Sequence, residues 1–343
     1  MSRKIRGSRL RGGFKLTVDI DHLPLRVLVT GANGFVGSAL VRALDNHSGF
    51  LPVSVVRSKV NSPVANTQSF CIPDISSSTE WGNCLKGVAV IVHAAARVHV
   101  MKEVAVDALS EFRRVNVEGT VNLARQAAQA GVKRFVFISS IKVNGEATEP
   151  GHPFTADDVP APSDPYGISK KEAEEALLAL SRETGMEVVI IRPTLIYGPS
   201  VKANFLNMMT WLKKGIPLPF GAINNRRSLV SLENLVSLIL VCLTHHNAAG
   251  QIFLVSDGVD LSTTELLTRT AEALGVKSRL LPVPERLLIF CAAALGRRAL
   301  SQRLCGSLQV DISKTQTLLG WNSPVSVQDA LNRTTKDFLE YRR

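Results

Sequence analysis

Short, continuous apolar runs alternate with longer amphipathic stretches along most of the chain. The segments RVLVT (26–30), VSVV (53–56), VAVIVH (88–93), RFVFISS (134–140) and EVVIIR (187–192) are rich in β-branched residues and show no in/out alternation. That is the pattern of strands covered on both faces. Helical patterns lie between several of them, notably at 112–130 and 165–184. A strand-helix-strand rhythm needs crossover connections, so it predicts an α/β fold built on a doubly wound, mostly parallel sheet.

After residue 193 the rhythm changes. Proline and glycine crowd IPLPFGAINNRR (216–227), followed by helical patterns at 232–245, 262–274, 284–296 and 327–341 and a strand at QIFLVS (251–256). These predict a basic, disordered extension at 1–24 and a dinucleotide-binding domain at 25–195 to which 228–257 returns. A smaller mixed α/β substrate lobe would be formed by 196–227 and 258–343.

The glycines refine this. Gly31, Gly34 and Gly37 follow the first strand and open an amphipathic helix. Glycine at these positions allows a tight turn, backbone approach to a pyrophosphate and close helix-sheet packing, while the helix N-terminus offers free N–H groups. The fold is thus expected to be of the Rossmann type, with a dinucleotide at this turn. An acidic residue at the end of the second strand would grip ribose hydroxyls. Here Arg57, Ser58 and Lys59 stand there, which suits a 2′-phosphate and favours NADP(H) over NAD(H).

The stretch DPYGISKKEAEEAL (164–177) carries a second chemistry. Pro165 at a first helical position, with Asp164 or Ser163 as cap, places Tyr166 in the first turn. At 3.6 residues per turn, Tyr166, Lys170, Ala173, Leu177 and Leu180 share one stripe, and Lys171, Glu174, Glu175 and Arg182 are expected opposite. A lysine on an apolar stripe needs a task, and a cation one turn from a phenol lowers its pKa, as a tyrosine acid/base requires. Ser139 and Ser140, at the C-terminal end of a strand, could polarise the reacting oxygen.

Composition adds limits. The formal charge of +11 includes six basic and no acidic residues in the first fifteen positions, leaving +5 elsewhere. It is therefore read as a solubilising extension rather than a nucleic-acid surface. Five scattered cysteines without a C-x-x-C pair argue for reduced thiols in a cytoplasm and against a structural metal. The longest apolar run, LLIFCAAAL (287–295), is far below the ~20 residues of a membrane span, so a buried or interfacial helix is expected and membrane insertion is not.

The motifs TGANGFVG, PDIS, VHAAA, NVEGT, SSIKVNG, YGISK, IRPTLIYGP and LLGW, in this order from about residue 25, resemble the extended short-chain dehydrogenase/reductase family, in its nucleotide-sugar epimerase/dehydratase branch. The resemblance implies that Gly31, Gly34, Phe35, Val36 and Gly37 hold the pyrophosphate and that Asp74 and Ile75 flank the adenine. It further implies that Ala94, Ala95 and Ala96 line the cofactor, Asn116 steadies its site and Pro193 borders the nicotinamide. It assigns catalysis to Ser140, Tyr166 and Lys170, and implies a homodimer through 112–130 and 165–184. The C-terminal half resembles UDP-4-keto-sugar C4 reductases of lipopolysaccharide O-antigen synthesis, which form UDP-N-acetylquinovosamine. Asn204 and Arg227 would then contact UDP, and Arg303 its pyrophosphate. The alternative implied is a UDP-glucose or UDP-N-acetylglucosamine 4-epimerase with tightly bound NAD. Against it stand Arg57, where such epimerases carry an acidic residue, and Leu195, where many relatives carry asparagine.

Overall fold

The structure, a computed structural model, describes residues 24–58, 64, 67–98, 107–294, 296, 302 and 304–340. Lys59, Arg303 and the extension 1–23 lie outside the described residues. Seven parallel strands form the main sheet: β1 (Leu25–Thr30), β2 (Phe50–Val56), β3 (Gln68–Cys71), β4 (Val90–His93), β5 (Arg134–Ile138), β6 (Glu187–Pro193) and β9 (Ile252–Val255). Their order is β3-β2-β1-β4-β5-β6-β9. β7 (Leu195–Tyr197), β8 (Arg227–Ser231) and β10 (Asp260–Leu261) make a separate small sheet.

The unbroken apolar runs have a direct structural cause. Along β1, Val27 and Val29 enter one buried layer and Leu28 the other, and Val90, Val92 and Ile91 divide in the same way along β4. The first layer is closed by α1 (Phe35–Asp45) and α7 (Leu232–Thr244), the second by α4 (Gly119–Gln129) and α5 (Pro165–Thr184). Both faces of each strand are dry, so neither can be polar. A third core cluster, around Tyr197, Phe205, Met209 and Leu331, sits in the C-terminal part of the chain.

Chain order reverses beside β1: β2 pairs on one side of it and β4 on the other. The crevice beyond the C-terminal ends of β1 and β4 is the topological switch point, where ligands of such sheets bind.

The helix expected at 112–130 is interrupted. It runs as α3 (Ala108–Arg113), a π-helical turn (Arg114–Glu118) and then α4. Asn116 lies in this π-helical turn and is buried. Of the two expectations for the apolar run at 287–295, a buried or an interfacial helix, the buried one is not found, because no residue of the helix Glu285–Ala294 is buried. Among the described residues, no helix is long and apolar enough to cross a membrane, and no group of His, Cys, Asp or Glu is arranged to hold a metal ion.

Candidate active site

Three chain segments meet at the C-terminal end of β5. Ser139 and Ser140 end the strand, and a short 3-10 turn, Ile141–Val143, follows with Ser140 as its cap. The Ser140 Oγ accepts the Lys142 N–H at 3.3 Å and stays half-buried. Helix α5 begins against this turn. Asp164 caps it by accepting the Gly167 N–H at 2.6 Å, and Pro165 fills the first helical position. A Cβ at Gly167 would lie 2.8 Å from the Lys142 carbonyl oxygen, so glycine lets the Tyr166 turn press onto the Ser140 turn. Lys142 Nζ bonds Asp164 and Glu146, tying the two segments together.

Lys170, one turn into α5, is fully buried. Its Nζ donates to the Ile138 carbonyl at 2.9 Å and lies 4.3 Å from the centre of the Phe137 ring and 6.0 Å from that of Tyr166. Burial pushes its pKa down to about 7, against the pull of the Glu174 charge. Burial, followed by the Asp164 charge, pushes the Tyr166 phenol above its ordinary value. The lowered phenol pKa expected from the lysine is therefore not found in this structure, because desolvation outweighs the neighbouring cation and also suppresses that cation.

A pH-dependent stability effect follows. Between about 7 and the ordinary lysine value of 10.5, the unfolded chain holds a proton at Lys170 that the folded chain does not, so this group's cost to stability falls as pH rises through that window. Lys170→Met removes the cost but also the bond to Ile138. Its effect on Tm, measured by thermal melts, is expected to be more favourable at pH 6 than at pH 9.

Glu174 departs from the sequence expectation. It is buried rather than solvated, and it accepts Arg192 Nε at 3.0 Å and Nη2 at 2.6 Å together with the Ser139 hydroxyl. Arg192 Nη1 donates to Asn144 Oδ1 at 2.9 Å. Ser139 is thus committed to a buried network, which leaves the half-buried Ser140 as the other candidate serine. On a helical wheel Glu174 sits about 40° from Lys170, at the border of the apolar stripe. That position and an arginine in the apolar strand EVVIIR each hint at a buried charge in the sequence, but neither names the other as its partner.

The glycine turn has the shape a dinucleotide needs. Gly31 has φ +67°, in the left-handed region, and a Cβ on Gly37 would fall 2.2 Å from the Gly31 oxygen. Gly31 also approaches Ala95, whose Cα would lie 3.0 Å from an added Cβ, so Ala94 and Ala95 border the glycine turn and Ala96 follows them in the chain. The N-terminus of α1, at Phe35 and Val36, has no side-chain cap and no acidic residue in its first turn. The donor set therefore fits an anionic pyrophosphate. Asn116 accepts the Arg97 N–H at 2.8 Å and donates to the Arg97 carbonyl and to Ser169, bracing the β4 loop against α5. His93, unremarked in the sequence, bonds Thr30 at 2.8 Å and Thr120 at 3.0 Å; burial and Lys170 hold it neutral, with a pKa down to about 3.

Other expected residues are placed less centrally. Arg57 is exposed just past β2. Asp74 is exposed and paired with Arg114 at 2.7 Å, while Ile75 is buried against Gly119. Pro193 ends β6, next to the Glu174–Arg192 pair. Asn204 is exposed in the first turn of α6 (Ala203–Lys213), and Arg227 Nη1 donates to the Gly306 carbonyl at 2.9 Å.

Comparison with known proteins matches the NAD-dependent epimerase/dehydratase family over residues 27–256. A UDP-glucose 4-epimerase from Vibrio cholerae is 49% identical over 319 residues, covering 93% of this chain and 97% of that protein. A UDP-glucose 4-epimerase from Mycolicibacterium smegmatis is 31% identical, with 92% and 98% covered. Among solved structures, MoeE5 in complex with UDP-glucose and NAD superposes with a TM-score of 0.74 at 25% identity, covering 93% of this chain and all of that one.

Proposed function

Because the chain belongs to the NAD-dependent epimerase/dehydratase family, we propose that it is a UDP-hexose 4-epimerase, acting on UDP-glucose or its N-acetylated counterpart with a retained NAD. The observation that carries this is the near full-length likeness to the Vibrio cholerae 4-epimerase. It reverses the order of activities expected from the C-terminal half, which put the 4-keto reductase first.

Inverting C4 requires its hydroxyl to lose a proton and later regain it on the opposite configuration. Tyr166 is the group in this site with a hydroxyl suited to that transfer. Ser140 holds the C4 oxygen by a hydrogen bond, and the commitment of Ser139 to Glu174 keeps the two serines from competing. Lys170, held on the Ile138 carbonyl, supplies positive charge beneath the ring side of Tyr166 in its protonated state. Gly31, Gly34 and Gly37, with the first turn of α1, hold the pyrophosphate. Bound NAD supplies a reversible two-electron acceptor at C4 and, oxidised, a positive charge that favours the phenolate. Asn204 and Arg227 are the proposed contacts to UDP.

One observation favours the second reading, an NADPH-dependent C4 reductase. Arg57 stands exposed at the end of β2, where a 2′-phosphate would sit. The two readings separate on cofactor demand. The epimerase releases NAD on denaturation of the purified protein and needs none added, whereas the reductase consumes NADPH mole for mole with a 4-keto sugar.

A further inference from the structure

The positive charge of this chain is not spread evenly along its sequence. Six of the eleven excess charges lie in the first fifteen residues. The stretch 276–310 holds Lys277, Arg279, Arg286, Arg297, Arg298 and Arg303 against the single acid Glu285, a net of +5. All remaining residues therefore sum to zero. This short internal stretch carries the whole excess outside those first fifteen residues, and it also contains the helix Glu285–Ala294, here α9, which has no buried residue.

The outward face of α9 is the apolar one. Leu287, Phe290, Cys291 and Ala294 follow i, i+3, i+4, i+7 spacing, and all four are exposed, Phe290 to 70% and Leu287 to 50%. Glu285, Leu288 and Ala292, on the opposite side, are only half-exposed. An ordinary surface helix is arranged the other way round. Leu281 is also exposed just upstream of the helix, Ile289 is exposed on its other side, and Lys277, Arg279 and Arg286 are exposed in the same stretch.

Both roots of the segment are fixed to the C-terminal lobe. Residues 279–281 bridge to 218–221 through Leu218 N–H to Arg279 O at 2.9 Å and Leu281 N–H to Leu218 O at 2.8 Å. Downstream, the Leu304 carbonyl accepts Thr263 and the Gly306 carbonyl accepts Asn225 and Arg227. The apolar helix is thus presented from a rigid base and not from a loose tail.

We propose that α9, with Lys277, Arg279 and Arg286 beside it in the chain, forms a docking surface for an anionic phospholipid bilayer, with Leu287 and Phe290 entering the headgroup-acyl boundary and the cations meeting lipid phosphates. An apolar helical face with cationic borders and too few residues to span is the composition of an interfacial helix, and each basic residue adds attraction to an anionic leaflet. A second copy of this chain is a poorer occupant, because it would bring the exposed Lys277, Arg279 and Arg286 of one copy against the same cations of the other.

Co-sedimentation of the full chain with vesicles tests this. Wild type is expected to bind phosphatidylcholine vesicles containing phosphatidylglycerol, to bind pure phosphatidylcholine weakly, and to lose affinity as salt rises. The double variant Leu287→Glu, Phe290→Glu, which alters only exposed side chains, is expected to partition about tenfold or more weakly, with an unchanged urea midpoint and unchanged turnover of free UDP-sugar. Absence of wild-type binding at low salt would overturn the proposal. Equal binding by the variant would also overturn it and assign the effect to the N-terminal extension. So would a variant that shifts from dimer to monomer in light scattering, which would make α9 a contact between copies.

Discussion

Replacing Glu174 by alanine is expected to lower the unfolding free energy by about 3–5 kcal/mol, measured by urea denaturation, although the residue touches no proposed ligand. The cause is the charge it leaves behind. Arg192 is buried with Glu174 as its ion-pair partner, and after the substitution it keeps only the Asn144 oxygen. Breaking one side of a buried pair strands the other charge at that order of cost. The Ser139 hydroxyl loses its acceptor as well. Replacing both members by apolar residues of similar size, Glu174→Leu with Arg192→Met, is expected to recover most of the loss, because no charge then remains to be desolvated. A double-mutant cycle gives the coupling directly.

The same pair reaches the proposed chemistry through its neighbours. Ser139 precedes Ser140, Arg192 precedes Pro193, and the Glu174 charge raises the pKa of Lys170. Glu174→Gln should therefore move any pH-dependence set by Lys170 to lower pH. A purely structural role for the carboxylate would not produce that shift.

Tyr166→Phe is expected to reduce kcat by about 10²–10⁴ while leaving the fold and dinucleotide retention intact. The phenylalanine keeps the edge contact with Phe112, whose ring centre lies 6.1 Å away, and removes only the hydroxyl. Steady-state kinetics on the UDP-sugar measure kcat, and release of dinucleotide on denaturation checks retention. Full turnover by the variant would remove Tyr166 from the proton transfer.

Much of the architecture is legible in the sequence because the sheet is covered on both faces. Burial of both sides forces unbroken apolar runs, and these stand out against the amphipathic helices. β3 is not legible in this way. It is an edge strand, its residues Gln68, Ser69 and Cys71 are exposed, and polar side chains there cost nothing. The interruption of the helix before Asn116 is hidden for another reason, since a π turn adds one residue without altering composition. Of the candidate site, the glycine turn and the Tyr166–Lys170 helix are readable from local spacing. The Glu174–Arg192–Ser139 network is not, because it joins a helix to the ends of two strands, and only the fold brings them together. A periodicity argument sees Glu174 as one charge among several on a helix, whereas its depth is set by Arg192.

Central to this account is a proton-transfer site working beside a retained dinucleotide on UDP-hexoses. The most direct measurement is conversion of UDP-glucose by the purified protein with no nucleotide added, followed by chromatographic separation of UDP-glucose from UDP-galactose, with the N-acetylated pair run in parallel. Approach to an equilibrium mixture from either epimer of at least one pair is expected, with no net change in nicotinamide absorbance. Failure to convert any of these sugars, with turnover only of a 4-keto UDP-sugar at the expense of added NADPH, would contradict it.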